Sequence, residues 1–327
     1  MKIPPSNPPN SGISAMSANT ANTSNNAGKP ASTNVDTLRG FGFATTAYVL
    51  WGFLPLYLKL LDHISAPEVV AHRVLWSIPV AGLVLIVLRR TGDIRRILRE
   101  PRSLAMGCVT ALFISINWGV YVWTIAAERA LDAALGYYIN PLFSVFLGFT
   151  LLGEKLSRLQ WAAVALAASG VAVLTWFNGA LPWPAIALTV SWGFYAYFKR
   201  ALPIGPNQGF LLEVLILMPF AFGYLVWLWS TGAGHFVPMT RDMWLLMGCG
   251  LVTAVPLLMY ANGAKGLRLA TIGIMQYIAP TMIMLVAIVI FDEPFGQARA
   301  ISFPLIWAAL VLYSYSSFRN HLSARRQ

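Results

Sequence analysis

Long apolar stretches dominate the chain after its first forty residues, and short polar connections separate them. A helix that spans the hydrocarbon core of a bilayer needs about 20 mostly apolar residues. Stretches of that kind recur ten times, which predicts an all-α integral membrane protein with ten transmembrane helices. The predicted spans are residues 40–60, 67–88, 103–126, 131–152, 159–177, 182–199, 207–229, 242–264, 270–291 and 299–318.

The two ends of the chain differ from this apolar body. Residues 1–36 are rich in Ser, Asn, Ala and Pro, so they cannot bury enough apolar surface to offset the entropy of ordering. We interpret them as a disordered polar cytoplasmic tail, and residues 319–327 as a basic cytoplasmic C-terminus. The chain as a whole is 57% hydrophobic and only 11% charged, whereas soluble domains have roughly 25% charged residues.

The net charge of +11 indicates orientation rather than nucleic-acid binding. If the amino terminus is cytoplasmic, most of the 23 lysines and arginines lie in segments on that side. The outer loops then contain only Arg129, Arg241 and Arg299. This asymmetry is what the positive-inside rule gives for a multi-pass protein with both termini inside. We therefore expect the chain to lie in a lipid bilayer, and we do not expect it to bind nucleic acid.

The chain also contains an internal repeat. At an offset of 139 residues, Tyr121 matches Tyr260, and the segment around Tyr138 matches that around Tyr277. Residues 37–180 and 181–318 are thus predicted to be two related units of five spans each. Because five is odd, the second unit must cross the membrane in the opposite sense to the first. Inverted repeats of this kind are typical of transporters that work by alternating access.

Polar residues at membrane depth usually face a bundle interior or water, so they indicate where a pathway could lie. On the third span Asn117 and Tyr121 begin a single polar stripe, and Tyr260 is the repeat counterpart of Tyr121. We predict that these three side chains contact substrate in a central cavity. The alternative is that they only form hydrogen bonds to neighbouring helices.

Prolines occur at equivalent places in the fourth and ninth spans, at Pro141 and Pro280. Each lacks a backbone N–H and tends to kink its helix. Paired broken helices at corresponding positions of two halves indicate a transporter site, although a structural kink at a helix crossing is the alternative. The polar residues near these prolines that we predict to contact substrate are Tyr138, Asn140, Gln276 and Tyr277.

The second span places His72 and Arg73 inside the membrane, with Arg73 at a depth of about 9 Å at 1.5 Å per residue. An arginine there either binds an anionic group or extends to the interface. In the second unit Glu213 replaces Arg73. Because burial favours a protonated carboxyl, Glu213 and His72 are candidate proton-coupling residues, with a bonded structural carboxyl as the alternative for Glu213. Nearer the start of the span, Ser65 and Glu68 have the spacing of a helix-capping box.

Other features of the sequence indicate helix packing rather than a catalytic or metal site. The small residues of the fifth span, between Ala162 and Gly170, predict bundle packing or a homodimer face. The two cysteines, Cys108 and Cys249, lie within spans and lack metal-type spacing. The sequence has no phosphate-binding loop, hydrolase elbow or zinc-protease motif. We expect neither a metal nor a cofactor, and we do not expect an enzyme.

Several segments resemble one known family. They are Trp51-Gly52, Ala71–Ser77, Leu135–Leu142, Leu152-Gly153-Glu154, and Leu267–Arg268 followed by Gln276–Thr281. Taken together, these segments resemble the EamA-type branch of the drug/metabolite transporter superfamily. The resemblance covers residues 40–318 and implies a ten-helix permease of the bacterial inner membrane that exports metabolites or drug-like molecules. The polar tail is not part of the family pattern.

Together these patterns predict a secondary transporter of a small molecule that bears a carboxylate or similar anionic group held by Arg73. The alternative from another class is a membrane protein that does not transport. It would be a sensor, or an intramembrane enzyme that acts on lipid-soluble substrates.

Overall fold

Helices make up nearly all of the computed structural model, which describes residues 36–87, 100–153 and 155–324. The helices are α1 (Leu38–Lys59), α2 (Ala66–Val87), α3 (Pro101–Ala126), α4 (Ala130–Leu152), α5 (Arg158–Asn178), α6 (Trp183–Ala201), α7 (Pro206–Thr231), α8 (Arg241–Gly263), α9 (Leu269–Met275), α10 (Ile278–Val289) and α11 (Gln297–Ala324). A single turn of 3₁₀ helix, Ala264–Gly266, follows α8.

Nine of the segments in the described part of the chain are long and apolar enough to cross a membrane. The prediction of membrane-spanning helices is confirmed, and their bounds agree with the predicted spans to within a few residues. The helix that falls short is α6, which includes the polar residues Thr189, Ser191 and Lys199. Because α6 packs between α3 and α4, its polar groups meet protein rather than lipid.

The helix ends follow the local sequence. Thr37, Ser157 and Thr240 cap the starts of α1, α5 and α8 by accepting backbone N–H groups, which satisfies donors that a helix start leaves free. Ser157 and Gln160 form a full capping box. Glycines with positive φ end α4, α5 and α7, because only glycine takes this conformation at little cost.

Helix pairs pack closely across the molecule. The most extensive pairs are α5 with α11, α2 with both α7 and α8, α4 with α6, α1 with both α8 and α10, and α3 with α6. Gly250 of α8 lies so close to Trp76 of α2 that a Cβ would sit 2.1 Å from the Trp76 carbonyl oxygen. Ala163, Ala167 and Gly170 of α5 are buried, and Gly170 faces α11. These three small residues of the fifth span therefore serve bundle packing, whereas Ala162, Ala165, Ala168 and Ser169 are exposed and the homodimer face stays a prediction.

Two local predictions need correction. The paired prolines do not break both helices: α4 runs unbroken through Pro141, whereas the ninth span is interrupted at Gln276–Tyr277, just before Pro280. Glu68 does not cap α2, because its carboxylate accepts hydrogen bonds from the backbone N–H and the ring of His235.

Some predictions concern residues that the structure does not describe. Of the predicted polar tail only Asp36 is described, and the basic residues between 88 and 99 and the last three residues of the chain lie outside the described part. Glu154, one of the residues on which the family resemblance rests, lies outside it as well.

Candidate functional site

The centre of the candidate site is Arg73, which lies in the second turn of α2 and is 3% exposed. Its Nε donates to Thr253 Oγ1 of α8 at 3.0 Å, and its guanidinium carbon lies 5.0 Å from the ring centroid of Trp118 on α3. Its Nη1 has no hydrogen-bond partner. Within the described residues no carboxylate forms an ion pair with Arg73.

A buried cation without a counter-ion is costly, since desolvation is not repaid by an opposite charge. The cation–π contact with the Trp118 ring offsets part of that cost. The free N–H groups of a planar guanidinium match the geometry of a carboxylate or phosphate. Arg73 therefore has the chemistry of an anion site that the protein itself leaves unfilled.

Aromatic and amide groups surround this arginine. Tyr121 and Tyr137 lie near enough for their hydroxyls to interact electrostatically with the guanidinium. Tyr121 is 3% exposed and its hydroxyl has no partner. Tyr137 donates to Asn117 Oδ1 at 3.4 Å, and Asn117 Nδ2 donates to Leu188 O and Ser191 Oγ of α6. Asn117 thus joins α3 to α4 and α6, the helix-bonding role considered as its alternative.

A second charged group lies near the short connection between α6 and α7. Glu213 is completely buried, with Lys199 Nζ 2.5 Å from Oε1 and the Tyr195 hydroxyl donating to Oε2 at 3.3 Å. A Cβ on Gly209 would lie 2.9 Å from Lys199 Nζ, so the glycine makes room for the lysine. Glu213 is therefore bonded within its own unit and is not paired with Arg73.

A row of aromatic rings connects the two charged groups. The ring of Tyr137 lies 6.4 Å from that of Trp192, and Trp192 lies 5.5 Å from Tyr195, the hydrogen-bond partner of Glu213. Together with Tyr121, which lies 5.7 Å from Tyr137, these rings extend from Arg73 to Glu213. Aromatic faces of this kind can hold the flat or apolar part of a ligand whose charge is bound elsewhere.

Other predicted substrate contacts lie away from Arg73. The Tyr138 hydroxyl is 2.7 Å from Thr281 Oγ1, and its ring lies 6.5 Å from Tyr277 in a cluster with α11. Tyr260 packs against Tyr48 and Trp51 of α1.

The residues around Arg73, here called the Arg73 cluster, are Thr253, Trp118, Tyr121, Tyr137 and Asn117. Two more predicted substrate contacts, Gln276 and Asn140, and one candidate for proton coupling, His72, also lie outside this cluster. Gln276 Nε2 donates to Gly273 O within the interruption of the ninth span. Asn140 is buried with its Oδ1 unpartnered, on the stripe of α4 that also contains Gly136, which contacts α6. His72 stacks on Phe236 at 5.0 Å and accepts a hydrogen bond from Trp76.

Sequence reasoning missed several residues of the site. Thr253, Trp118, Tyr137, Trp192 and Lys199 were not predicted to take part. Lys199 lies in the last turn of α6, and the short link between α6 and α7 allows its side chain to reach α7. The choice between Tyr137 and its neighbour Tyr138 depended on helix rotation, which the sequence alone did not determine. In the described part of the chain, no cluster of His, Cys, Asp and Glu could hold a metal.

Comparisons with known proteins give these residues a family context. Residues 38–176 match the EamA-like transporter family. An uncharacterized transporter of Vibrio cholerae is 40% identical over 292 residues, 89% of this chain and 97% of that protein. A protein named RarD from Streptomyces exfoliatus is 40% identical over 289 residues, 88% of this chain and 90% of that protein. One crystal structure, at 20% identity, has a TM-score of 0.55 over 84% of this chain and 96% of that one, which shows a shared fold alone.

Proposed function

Because this chain belongs to the EamA-like transporter family and is related over most of its length to proteins named RarD, we propose that it is a secondary transporter. It moves a small metabolite or drug-like molecule across the bacterial plasma membrane. The two five-helix units, residues 37–180 and 181–318, alternate the access of one central site between the two sides. This mechanism follows from the inverted repeat.

The packing of the helices supports the two-unit mechanism. Here α9 and α10 count together as the ninth span, and each helix is exchanged for its repeat counterpart, five spans away. The exchange converts the packed pair α1–α8 into α6–α3, and the packed pair α4–α6 into α10–α1. All four pairs are present in the structure. The pairs α2–α7, α4–α10 and α5–α11 convert into themselves. In addition, the family model covers residues 38–176, which are α1 to α5, one unit of the proposed repeat.

The orientation that we propose places both termini in the cytoplasm, as the distribution of basic residues indicates. The outer end of the bundle is then the one where α1 ends at Lys59 and α2 begins. Arg73 lies in the outer half of α2, and Glu213 lies in the inner half of α7. The aromatic row between them runs through the middle of the membrane.

Arg73 is the observation that supports a substrate class most strongly. A guanidinium that is 3% exposed, without a counter-ion among the described residues and with a free Nη1, is suited to a substrate with a carboxylate or similar anionic group. The apolar part of the substrate would lie on Tyr121, Tyr137 and Trp192. Tyr138, Gln276 and Tyr277 have their contacts elsewhere in the bundle and would contact it in another conformation. Tyr260 lies near Tyr195, at the Glu213 end of the aromatic row.

Glu213 is the group that we assign to proton coupling, if transport is coupled. Protonation of its carboxylate would break the ion pair with Lys199, and Lys199, in the last turn of α6, could then extend to water. Such a change would loosen the contact between α6 and α7. His72, the other candidate, has different partners: it stacks on Phe236 and accepts a hydrogen bond from Trp76.

The direct test begins with cells that contain or lack the protein. Metabolites that differ between the inside and outside of those cells are then measured for counterflow in proteoliposomes that contain the purified chain. We expect one class of anionic molecule to show counterflow that needs a sealed vesicle. Conversion of the same molecule by the detergent-solubilised protein would instead indicate an enzyme and would overturn the proposal.

A further inference from the structure

A cavity of about 520 Å³ lies at the outer end of the bundle, apart from the Arg73 cluster. Its walls come from the start of α2, the second half of α7 and the connection from α7 to α8. This volume lies within the range of pockets that hold small organic molecules. His72 is on its wall, whereas Arg73, the next residue along α2, points about 100° away around the helix.

His72 supplies an unused hydrogen-bond donor on this wall. Its Nδ1 accepts the Trp76 Nε1–H at 3.2 Å, so in the neutral ring the proton is on Nε2. Nε2 is buried and has no partner, and the residue is 3% exposed. A buried N–H without an acceptor destabilises the protein, because it has lost its hydrogen bond to water and gained none in return. A ligand oxygen placed against His72 would therefore recover a hydrogen bond that the protein lacks.

The other polar group on the wall is already satisfied. Both Glu68 carboxylate oxygens are bonded to His235, one to its backbone N–H at 2.7 Å and one to its ring at 2.9 Å. The remaining lining is almost entirely apolar and aromatic, and it includes Leu75, Phe222 and Phe236. An anionic ligand would have no counter-ion on this wall, and the Glu68 carboxylate that a cationic ligand would need is already bonded to His235, which favours a neutral ligand.

The mouth of the cavity faces the lipid. Phe222, Val226 and Trp229 of α7 line it and are 55%, 44% and 82% exposed, and α7 is one of the apolar membrane-spanning segments. A tryptophan at the end of a span is typical of the membrane interface. Molecules dissolved in the outer leaflet thus have direct access to the cavity.

We propose that this cavity, the His72 pocket, binds a neutral lipid-soluble molecule that has an aromatic or apolar body and one carbonyl oxygen. The oxygen accepts the His72 Nε2–H, and the body packs against Phe222, Phe236 and Trp229. The pocket is separate from the proposed substrate site at Arg73, so it does not depend on the transport assignment.

Benzophenone is a suitable probe, because it is lipid-soluble, contains one aromatic carbonyl and forms covalent adducts on illumination. The whole chain is placed in nanodiscs and illuminated with benzophenone, and the labelled peptides are mapped by mass spectrometry. We expect labelling to concentrate between residues 222 and 238. Phenyl benzoate, which has a carbonyl, should suppress it at least fivefold more effectively than diphenylmethane, which has none. Equal suppression by both compounds, or labelling spread evenly over all lipid-facing helices, would overturn the proposal.

Two variants separate loss of the pocket from loss of the fold. His72→Phe removes the donor, and Val226→Trp fills the mouth from a position that is already 44% exposed. Each should lower labelling at least fivefold. Val311→Trp, the same change at a lipid-facing position of α11 that is 70% exposed, should leave it unchanged. Labelling of Val226→Trp at the wild-type level would contradict the proposal. Nanodiscs of ether-linked lipids, which have no ester carbonyls, give a second test. Labelling that appears only in these nanodiscs would also contradict the proposal and would assign the pocket to phospholipid.

Discussion

At the scale of single residues, two of the buried charges in the described part of the bundle, Glu213 and Arg73, have different surroundings. Glu213 has a cation, a hydroxyl and an aromatic row around it, whereas Arg73 has one hydroxyl and one ring face. The two positions correspond in the sequence repeat, so the same scaffold holds a paired acid in one unit and an unpaired base in the other. This difference in chemistry is why we assign substrate binding to Arg73 and coupling to Glu213.

Replacing Glu213 with glutamine tests the coupling role. The amide has the same shape but cannot take up a proton, so exchange of substrate without a gradient should continue while stimulation by an imposed pH gradient disappears. The measurement compares the two fluxes in proteoliposomes. Glu128→Gln, a matched change at a side chain that is 77% exposed, should keep the response. A full pH-gradient response in Glu213→Gln would show that coupling lies elsewhere.

At the scale of helices, the equivalent prolines have unequal effects. A proline removes one hydrogen bond and clashes with the preceding turn, yet α4 continues through Pro141 while the ninth span is interrupted before Pro280. α4 packs on α6 and α10, and Gly136 O accepts a hydrogen bond from Thr189 of α6. In the ninth span the Gln276 side chain instead donates to the Gly273 carbonyl. Local sequence therefore predicted a weak point in both helices, but it did not determine which of the two would be interrupted.

A further contact between elements joins the start of α1 to the start of α9. Asp36 accepts hydrogen bonds from the backbone and side chain of Arg268 and from Thr271. These bonds, above all those from Arg268, lower the pKa of Asp36 from 3.8 to about 2. An acid with a lowered pKa stabilises the folded state above its unfolded pKa, and that contribution is lost only as the pH falls through the folded value. The contact should thus be intact at pH 7 and at pH 5.

Hydrogen exchange of the α9 segment, Leu269–Met275, checks this contact. Asp36→Asn should raise the exchange rate of that segment by about two- to threefold, the scale of an exposed ion pair. The wild-type chain, corrected for intrinsic rates, should exchange equally at pH 7 and pH 5. Wild-type exchange at pH 5 that matches the variant would mean that the carboxylate has a higher pKa and that the contact is lost under mild acid.

At the scale of the whole molecule, the sequence predicted the membrane class well, and nine of the ten predicted spans correspond to segments of the described chain that are long and apolar enough to cross a membrane. Length and hydrophobicity of a span depend on the chain itself, and α6 departed because it contains polar residues such as Thr189 and Ser191, which are buried against neighbouring helices. The site was predicted less completely. Arg73, Asn117 and Tyr121 lie together as expected, but Thr253 and Tyr137 join them through helix rotations and crossings that no local pattern specifies. We predicted Tyr138, Tyr260 and Tyr277 because the repeat matches them in sequence. Such a match does not require the side chains to meet at one site in a given conformation.

The central claim is that an anionic substrate crosses the membrane while bound to Arg73, and counterflow of that substrate in proteoliposomes tests it most directly. Arg73→Gln should lower counterflow by about 10- to 100-fold, since a hydrogen bond to a charged group contributes about 1.5–3 kcal/mol. Arg73→Lys should recover only part, because an ammonium lacks the paired donors of a guanidinium. Arg241→Gln, at the exposed start of α8, is the control and should transport normally. Wild-type counterflow of every transported substrate in a folded Arg73→Gln protein would contradict the account.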